Sequence, residues 1–104
     1  MDGAGVNGSQ SSKVERLGPH TLGRWRVVTE RAVHLWDLDR MAYVRIPGLD
    51  SEAFGWDGSP QAIVDVRKWP VVEETFCIYV SPPENPLAGQ WRISSRIHRI
   101  EPDH

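Results

Sequence analysis

The sequence has little cysteine, no strong excess of charge of either sign and no long apolar run. Its one cysteine, Cys77, allows no disulfide within the chain and no cysteine pair for zinc. A formal net charge of −2 gives no general electrostatic signal for nucleic acid. The longest apolar-rich stretch, residues 75–80, is far shorter than a membrane span, and no basic segment followed by an apolar run suggests a secretory leader. We therefore expect a cytoplasmic protein without membrane contact.

Signatures of catalysis and cofactor binding are also missing from the sequence. It contains no G-x-S-x-G nucleophile motif and no glycine-rich phosphate loop that follows a strand. No two of its histidines have the spacing of metal ligands. Cys77 stands between Phe76 and Ile78, a context that predicts a buried, inert thiol. The sequence thus predicts no enzyme, no cofactor and no metal site.

Composition divides the chain of 104 residues into two parts. Residues 1–21 are rich in Gly, Ser, Asn and Gln, with too few apolar side chains to offset the entropy of ordering, so they are predicted to be a disordered tail. Residues 22–104 have ordinary globular composition and are predicted to form one small domain. Five tryptophans in so short a chain can supply much of its core.

Short runs rich in Val, Ile, Trp and Tyr, separated by turn residues, predict an all-β, mainly antiparallel domain. The fold expected from their spacing is a small SH3-like barrel or a curled sheet of six to seven short strands, with a two-sheet sandwich as the alternative. Strands are predicted at residues 24–29, 32–38, 41–46, 61–69, 75–80, 90–94 and 96–100. The longest connection, residues 47–60, carries Phe54 and Trp56, which we expect to fold back over one end of the core.

Three polar residues, His34, Asp37 and Asp39, come together around one predicted hairpin. We interpret His34 as a solvent-facing strand residue and Asp37 as a carboxylate that accepts backbone amides of the turn. The alternative is a shared cation or general-base site, which would require the three side chains to converge.

Arginine and tryptophan occur side by side in several strands. If the first and last strands are neighbours, Arg24, Arg26, Arg92 and Arg96 could form one basic stripe for a single-stranded nucleic acid. The competing interpretation places each tryptophan in the core and pairs each arginine with a carboxylate across the sheet.

Because no catalytic signature is present, the favoured function is a non-enzymatic binding module for another protein. The expected contact residues are the aromatic side chains Trp36, Phe54 and Trp56, together with an open sheet edge. An open edge also makes a homodimer a candidate assembly. The nucleic-acid barrel with the arginine stripe is the second hypothesis, and a hydrolase or metal enzyme is the third.

Four short motifs are spread over residues 24–101: Trp25-x-Val27-x-Thr29, His34-x-x-Asp37-Leu38-Asp39, Arg45-x-Pro47-Gly48 and Trp91-Arg92-x-Ser94-Ser95. Together they resemble uncharacterised small β-rich proteins of actinobacteria and their phages. The resemblance implies a cytoplasmic accessory protein of bacterial or phage origin, and it assigns no role to any residue.

Overall fold

The computed structural model describes residues 13–104, and seven antiparallel strands dominate this part of the chain. The all-β class and the antiparallel pairing predicted from the sequence are confirmed. The strands are β1 (Arg24–Thr29), β2 (Ala32–Asp37), β3 (Ala42–Pro47), β4 (Gln61–Lys68), β5 (Cys77–Ser81), β6 (Gln90–Ile93) and β7 (Ile97–Pro102). A 3₁₀ turn at Pro86–Ala88 joins β5 to β6, and Asn85 caps it by accepting a hydrogen bond from the Leu87 amide.

All seven strands belong to one sheet, in the order β6-β5-β4-β3-β2-β1-β7. A flat sheet of this size would hold its outer strands about 29 Å apart, at roughly 4.8 Å per strand. Yet only three residues connect β6 to β7, a link that spans no more than about 14 Å. The sheet must therefore curl until its two edges approach each other. Since strand pairing among residues 13–104 does not close the ring, the described structure is the curled sheet, neither a closed barrel nor the two-sheet sandwich.

The segment between β4 and β5 bridges the two edges where β6 ends and β7 begins. The Glu73 amide donates to the carbonyl oxygen of Ile97 at 2.8 Å, and the Ile97 amide donates to Glu74 at 2.8 Å. The amide of Ser94 donates to the carbonyl oxygen of Phe76 at 3.1 Å. This segment thus ties the start of β7 to the β5–β6 side of the sheet and fixes the curl.

The concave face of the curled sheet holds the hydrophobic core. Trp36 is fully buried, and its ring meets Phe76 and Tyr43 edge to face, with centroids 5.1 and 6.3 Å apart. Trp69 packs against Trp36 at 6.0 Å from the segment after β4. Aromatic pairs in this geometry add to the free energy gained from area burial alone. Aliphatic side chains complete the core: Leu17, Val27, Leu38, Ile63, Ile78, Val80, Ile97 and Ile100.

Residues 13–21 belong to the folded domain, which corrects the predicted boundary at residue 22. The Val14 amide donates to Ile100 at 3.1 Å, and the Leu17 amide donates to Pro70 at 3.0 Å. Leu17 itself is only 1% exposed. The polar composition of the segment hid these anchors, Leu17 in the core and Val14 packed against it. The remainder of the predicted disordered tail, residues 1–12, lies outside the described residues.

Candidate functional site

The loop between β3 and β4, residues 48–60, is held over one end of the concave face by a buried ion pair. Arg45 points inward from β3, and its Nη1 lies 2.6 Å from Oδ2 of Asp57. The two side chains are 6% and 11% exposed. The guanidinium also donates to Ser51 Oγ at 3.1 Å, and the Gly58 amide donates to the Arg45 carbonyl oxygen at 2.8 Å. A buried charge is tolerated when it is paired and hydrogen-bonded, and moving the loop away would leave Arg45 unpaired. These contacts therefore fix the loop to the sheet.

Phe54 covers two guanidinium groups at this end of the sheet. Its ring centroid lies 4.1 Å from Cζ of Arg45 and 5.1 Å from Cζ of Arg92. The Phe54 amide donates to Asp57 Oδ2 at 2.7 Å, which sets the backbone position of the aromatic residue. Arg45, Phe54, Asp57 and Arg92 are called the Phe54 cluster below. Phe54 therefore folds back over two arginines, whereas neither Phe54 nor Trp56 is among the described residues packed against the hydrophobic core.

Arg92 is the second cation of the Phe54 cluster and lacks a carboxylate partner within residues 13–104. It points inward from β6 and is 9% exposed. Its Nη2 donates to the carbonyl oxygen of Gly55 at 3.0 Å, whereas its buried Nε has no hydrogen-bond partner. Asp57 balances one of the two arginines, so the cluster carries an excess of one positive charge. An uncompensated charge at a buried position is costly and therefore suggests a specific role.

His34 lies beneath the Phe54 cluster as a neutral side chain. Burial, followed by the charges of Arg45 and Arg92, lowers its pKa from 6.5 to about 3, and the carboxylate of Asp57 opposes this only weakly. Nδ1 lies 2.7 Å from the hydroxyl of Tyr43, and Nε2 lies 3.4 Å from Thr29 Oγ1. The Thr29 hydroxyl has an acceptor in the Ala32 carbonyl oxygen at 3.0 Å. This network assigns the proton to Nε2, so that Nδ1 accepts from Tyr43.

The buried position of His34 corrects the expectation that it faces solvent. It is 4% exposed and meets the Phe76 ring edge to face at a centroid distance of 4.8 Å. Both faces of β2 carry apolar residues, so its sequence could not indicate which face was buried. Tyr43 is buried with it, and burial raises the pKa of the Tyr43 hydroxyl far above its usual range.

Two concave spaces flank Phe54. One is a cavity of about 100 Å³ lined by Thr29, His34, Arg45, Phe54 and Ser94, among others. The other is an open groove of about 470 Å³ between the loop and β6, lined by Ala53, Phe54, Gly55, Gln90 and Arg92. Among the described residues that line the groove, Arg92 alone carries a charge. The sheet therefore presents one cationic group at the base of an open groove with an aromatic wall.

The three aromatic residues expected to contact a partner are placed differently. Trp36 is fully buried, so its expected surface role is wrong, because its position on β2 points into the concave face. Phe54 and Trp56 are 45% and 36% exposed on the loop. Trp56 has a φ of 73°, a left-handed conformation that bulky residues rarely adopt. The structure thus brings two of the three residues into one surface loop.

The four arginines of the expected stripe do not lie together, although β1 and β7 are neighbours as the stripe required. Arg92 is buried at the other edge of the sheet. Arg96 directly precedes Ile97, which pairs with Thr29 at the end of β1. Arg24 stands at the other end of β1, five residues before Thr29 and thus about 17 Å from it. Arg26 contacts Glu101 at 3.5 Å and Arg96 contacts Glu73 at 3.2 Å. Arg26 and Arg96 therefore fit the competing interpretation, in which arginines pair with carboxylates.

Asp37 and Asp39 organise turns and do not converge with His34. Oδ1 of Asp37 accepts the amides of Asp39 and Arg40 at 3.1 and 3.2 Å, which confirms its predicted turn-closing role. Asp39 accepts the Gly23 amide at 3.0 Å. Across residues 13–104 no group of three potential metal ligands comes together. Cys77, predicted to be buried, is half-buried opposite Lys68 and Ile93.

Sequence reasoning missed two members of the Phe54 cluster, Arg45 and Asp57. The available signal was Arg45 itself. It is a charged residue on the inward face of β3, the same face that carries Tyr43 two residues earlier. Such a residue requires a counter-charge, and the following loop offers Asp50, Glu52 and Asp57. Sequence could not identify which of the three returns to it.

The chain matches no protein-family model, and comparisons with curated proteins and with solved structures likewise give no match. The resemblance to actinobacterial and phage proteins therefore stays a prediction. In residues 13–104 no helix has the length and apolar character needed to cross a membrane.

Proposed function

We propose that this protein is a non-enzymatic binding module whose partner is another protein, and that the 48–60 loop is the contact surface. The observation that carries the proposal is the exposure of Phe54 and Trp56 on a loop whose backbone is held by a buried ion pair. Aromatic side chains presented on a rigid support lose little conformational entropy on binding and are frequent hot spots of protein interfaces.

The neighbouring edge strand β6 extends this surface. It pairs with β5 on one side, and its outward-facing side chains Trp91 and Ile93 are 43% and 73% exposed. The Ser94 amide donates to Phe76, the residue just before β5. Hydrogen-bonded and non-hydrogen-bonded residue pairs alternate along an antiparallel pair of strands, so the backbone amides and carbonyls of Trp91 and Ile93 point away from β5. An extended segment of a partner could add to this edge while it contacts Phe54.

The proposal is tested by affinity capture from a native lysate with the full chain, after nuclease treatment and at two salt concentrations. Phe54→Ala and Trp56→Ala should each reduce the yield of a captured protein at least tenfold, because they remove apolar contact area from the surface. Leu22→Ala is the matched control, since Leu22 is an exposed apolar residue outside the loop, 73% exposed just before β1. Its capture yield should equal that of the wild type.

Thermal unfolding of each variant shows whether the domain still folds. If both loop variants fold and capture the same protein in wild-type yield, the loop is not the contact surface. Bound material that disappears with nuclease would instead support nucleic-acid binding and contradict the proposal.

A further inference from the structure

We propose that the groove between the 48–60 loop and β6 is a carboxylate-binding site, in which Arg92 is the charged ligand. The assignment rests on the charge and the hydrogen bonding of Arg92 and does not depend on whether a protein partner is found. The site is separate from the outward-facing side chains of β6, because Arg92 points to the concave face of the sheet.

The first argument is the charge within the Phe54 cluster. Asp57 neutralises Arg45 at 2.6 Å, and His34 is neutral, so one positive charge on Arg92 is left over. The described part of the chain brings no carboxylate within ion-pair distance of Arg92. A monoanion would restore neutrality, whereas a dianion such as sulfate would bring one negative charge too many. A carboxylate is the common biological monoanion with the planar shape that a guanidinium recognises.

The second argument is that Arg92 has unused donors. Only Nη2 has a hydrogen-bond partner among the described residues, the carbonyl oxygen of Gly55. Within residues 13–104 Nε is buried without a partner, and Nη1 has no hydrogen bond either but is not one of the buried unpartnered atoms. Because Arg92 lines the groove, which has a volume of about 470 Å³, we take Nη1 as the donor available to a ligand there. Gln90 lines the same groove, and its side-chain amide is a candidate second donor, while Phe54 provides an apolar wall for the carbon chain of the acid.

The alternative role for Arg92 is to hold the loop through Gly55 and Phe54, with no ligand. A loop anchor of this kind would be insensitive to the anion in solution. Direct observation of the Arg92 Nε–H signal by NMR separates the two roles, because a ligand must perturb that signal and an anchor alone leaves it unchanged.

The experiment titrates sodium acetate into the labelled full chain at neutral pH, with sodium chloride at matched ionic strength as the reference. Acetate should shift the Arg92 Nε–H and Gly55 amide signals saturably, and sulfate should bind at least several-fold more weakly. Arg92→Met should abolish the saturable shift of Gly55, whereas Arg96→Met, which removes an exposed arginine paired with Glu73, should leave it unchanged. Shifts that match those in chloride, or tighter binding of sulfate than of acetate, would overturn the assignment. Both comparisons use the wild-type protein, so they remain decisive even if Arg92→Met fails to fold.

Two short peptides distinguish the source of the carboxylate. Acetyl-Leu-Glu-Leu-amide should bind and acetyl-Leu-Gln-Leu-amide should not, because only the first carries a negative charge. Binding of the glutamyl peptide at least tenfold tighter than acetate assigns the carboxylate to a protein segment, whereas equal or weaker binding assigns it to a free small acid. Equal binding of the two peptides would contradict a carboxylate site. Because these probes need no captured partner, the hypothesis of a carboxylate site and the hypothesis of a protein-binding surface are tested independently. Either one can be refuted while the other is supported.

Discussion

Lowering the pH from 7.5 to 5 should reduce the free energy of unfolding by about 2 kcal/mol through His34 alone. In the unfolded chain the imidazole takes up a proton as the pH falls below 6.5, but in the folded protein its pKa is about 3. The unfolded state therefore binds more protons between these two values. The stabilisation is complete above pH 6.5 and is lost progressively as the pH falls toward 3.

The size of the effect follows from the surroundings of His34. A protonated ring would face the guanidinium groups of Arg45 and Arg92, with Asp57 as the opposing charge, in a site where it is 4% exposed. Nδ1 is also occupied as the acceptor of the Tyr43 hydroxyl at 2.7 Å, so protonation would reverse that hydrogen bond and leave the hydroxyl proton without its acceptor. Each unit by which the pKa is lowered is worth about 1.4 kcal/mol once the pH lies below both pKa values.

The assay is urea unfolding followed by tryptophan fluorescence at several pH values from 7.5 to 5. This window avoids Glu74, whose pKa is lowered from 4.5 by its hydrogen bond with Lys68 and whose contribution is lost only at lower pH. His34→Gln should flatten the pH dependence, whereas His98→Gln, a change at an exposed position of β7, should preserve it. A wild-type change below about 0.5 kcal/mol, or an equal fall in His34→Gln, would refute the argument.

Two further substitutions test the buried positions. Asp57→Asn should lower the free energy of unfolding by about 3–5 kcal/mol in urea titrations, because it leaves Arg45 buried without a counter-charge. Glu73→Gln, which removes an exposed ion pair, should cost less than about 1 kcal/mol, and equal costs for the two variants would show that the Arg45–Asp57 pair is not desolvated. Trp36→Ala should cost about 3–5 kcal/mol and lower the melting temperature by at least ~12 °C in circular dichroism. A wild-type melting temperature would mean that Trp36 lies at the surface.

The approximate limits of the strands could be predicted from the sequence, to within two residues, because they depend on local features. Pro47-Gly48 ends β3, Pro70 follows β4, and period-two alternation marks β1. Local backbone sterics and side-chain chemistry largely determine these three features. The turn role of Asp37 was predictable for the same reason, since its acceptors and donors lie within three residues. The loop that carries Phe54 and Trp56 was likewise visible from its glycines and prolines.

The tertiary structure decided which face of each strand is buried and which charges meet. β2 has apolar residues on both faces, so only its packing against Phe76 and Tyr43 shows that His34 and Trp36 point inward. The pairing of Arg45 with Asp57, and the lack of a carboxylate partner for Arg92 among the described residues, depend on a loop that returns across the concave face. Such contacts join residues far apart in the chain, and their energies depend on burial and distance. Sequence determined the strands, and the curl of the sheet determined the candidate site.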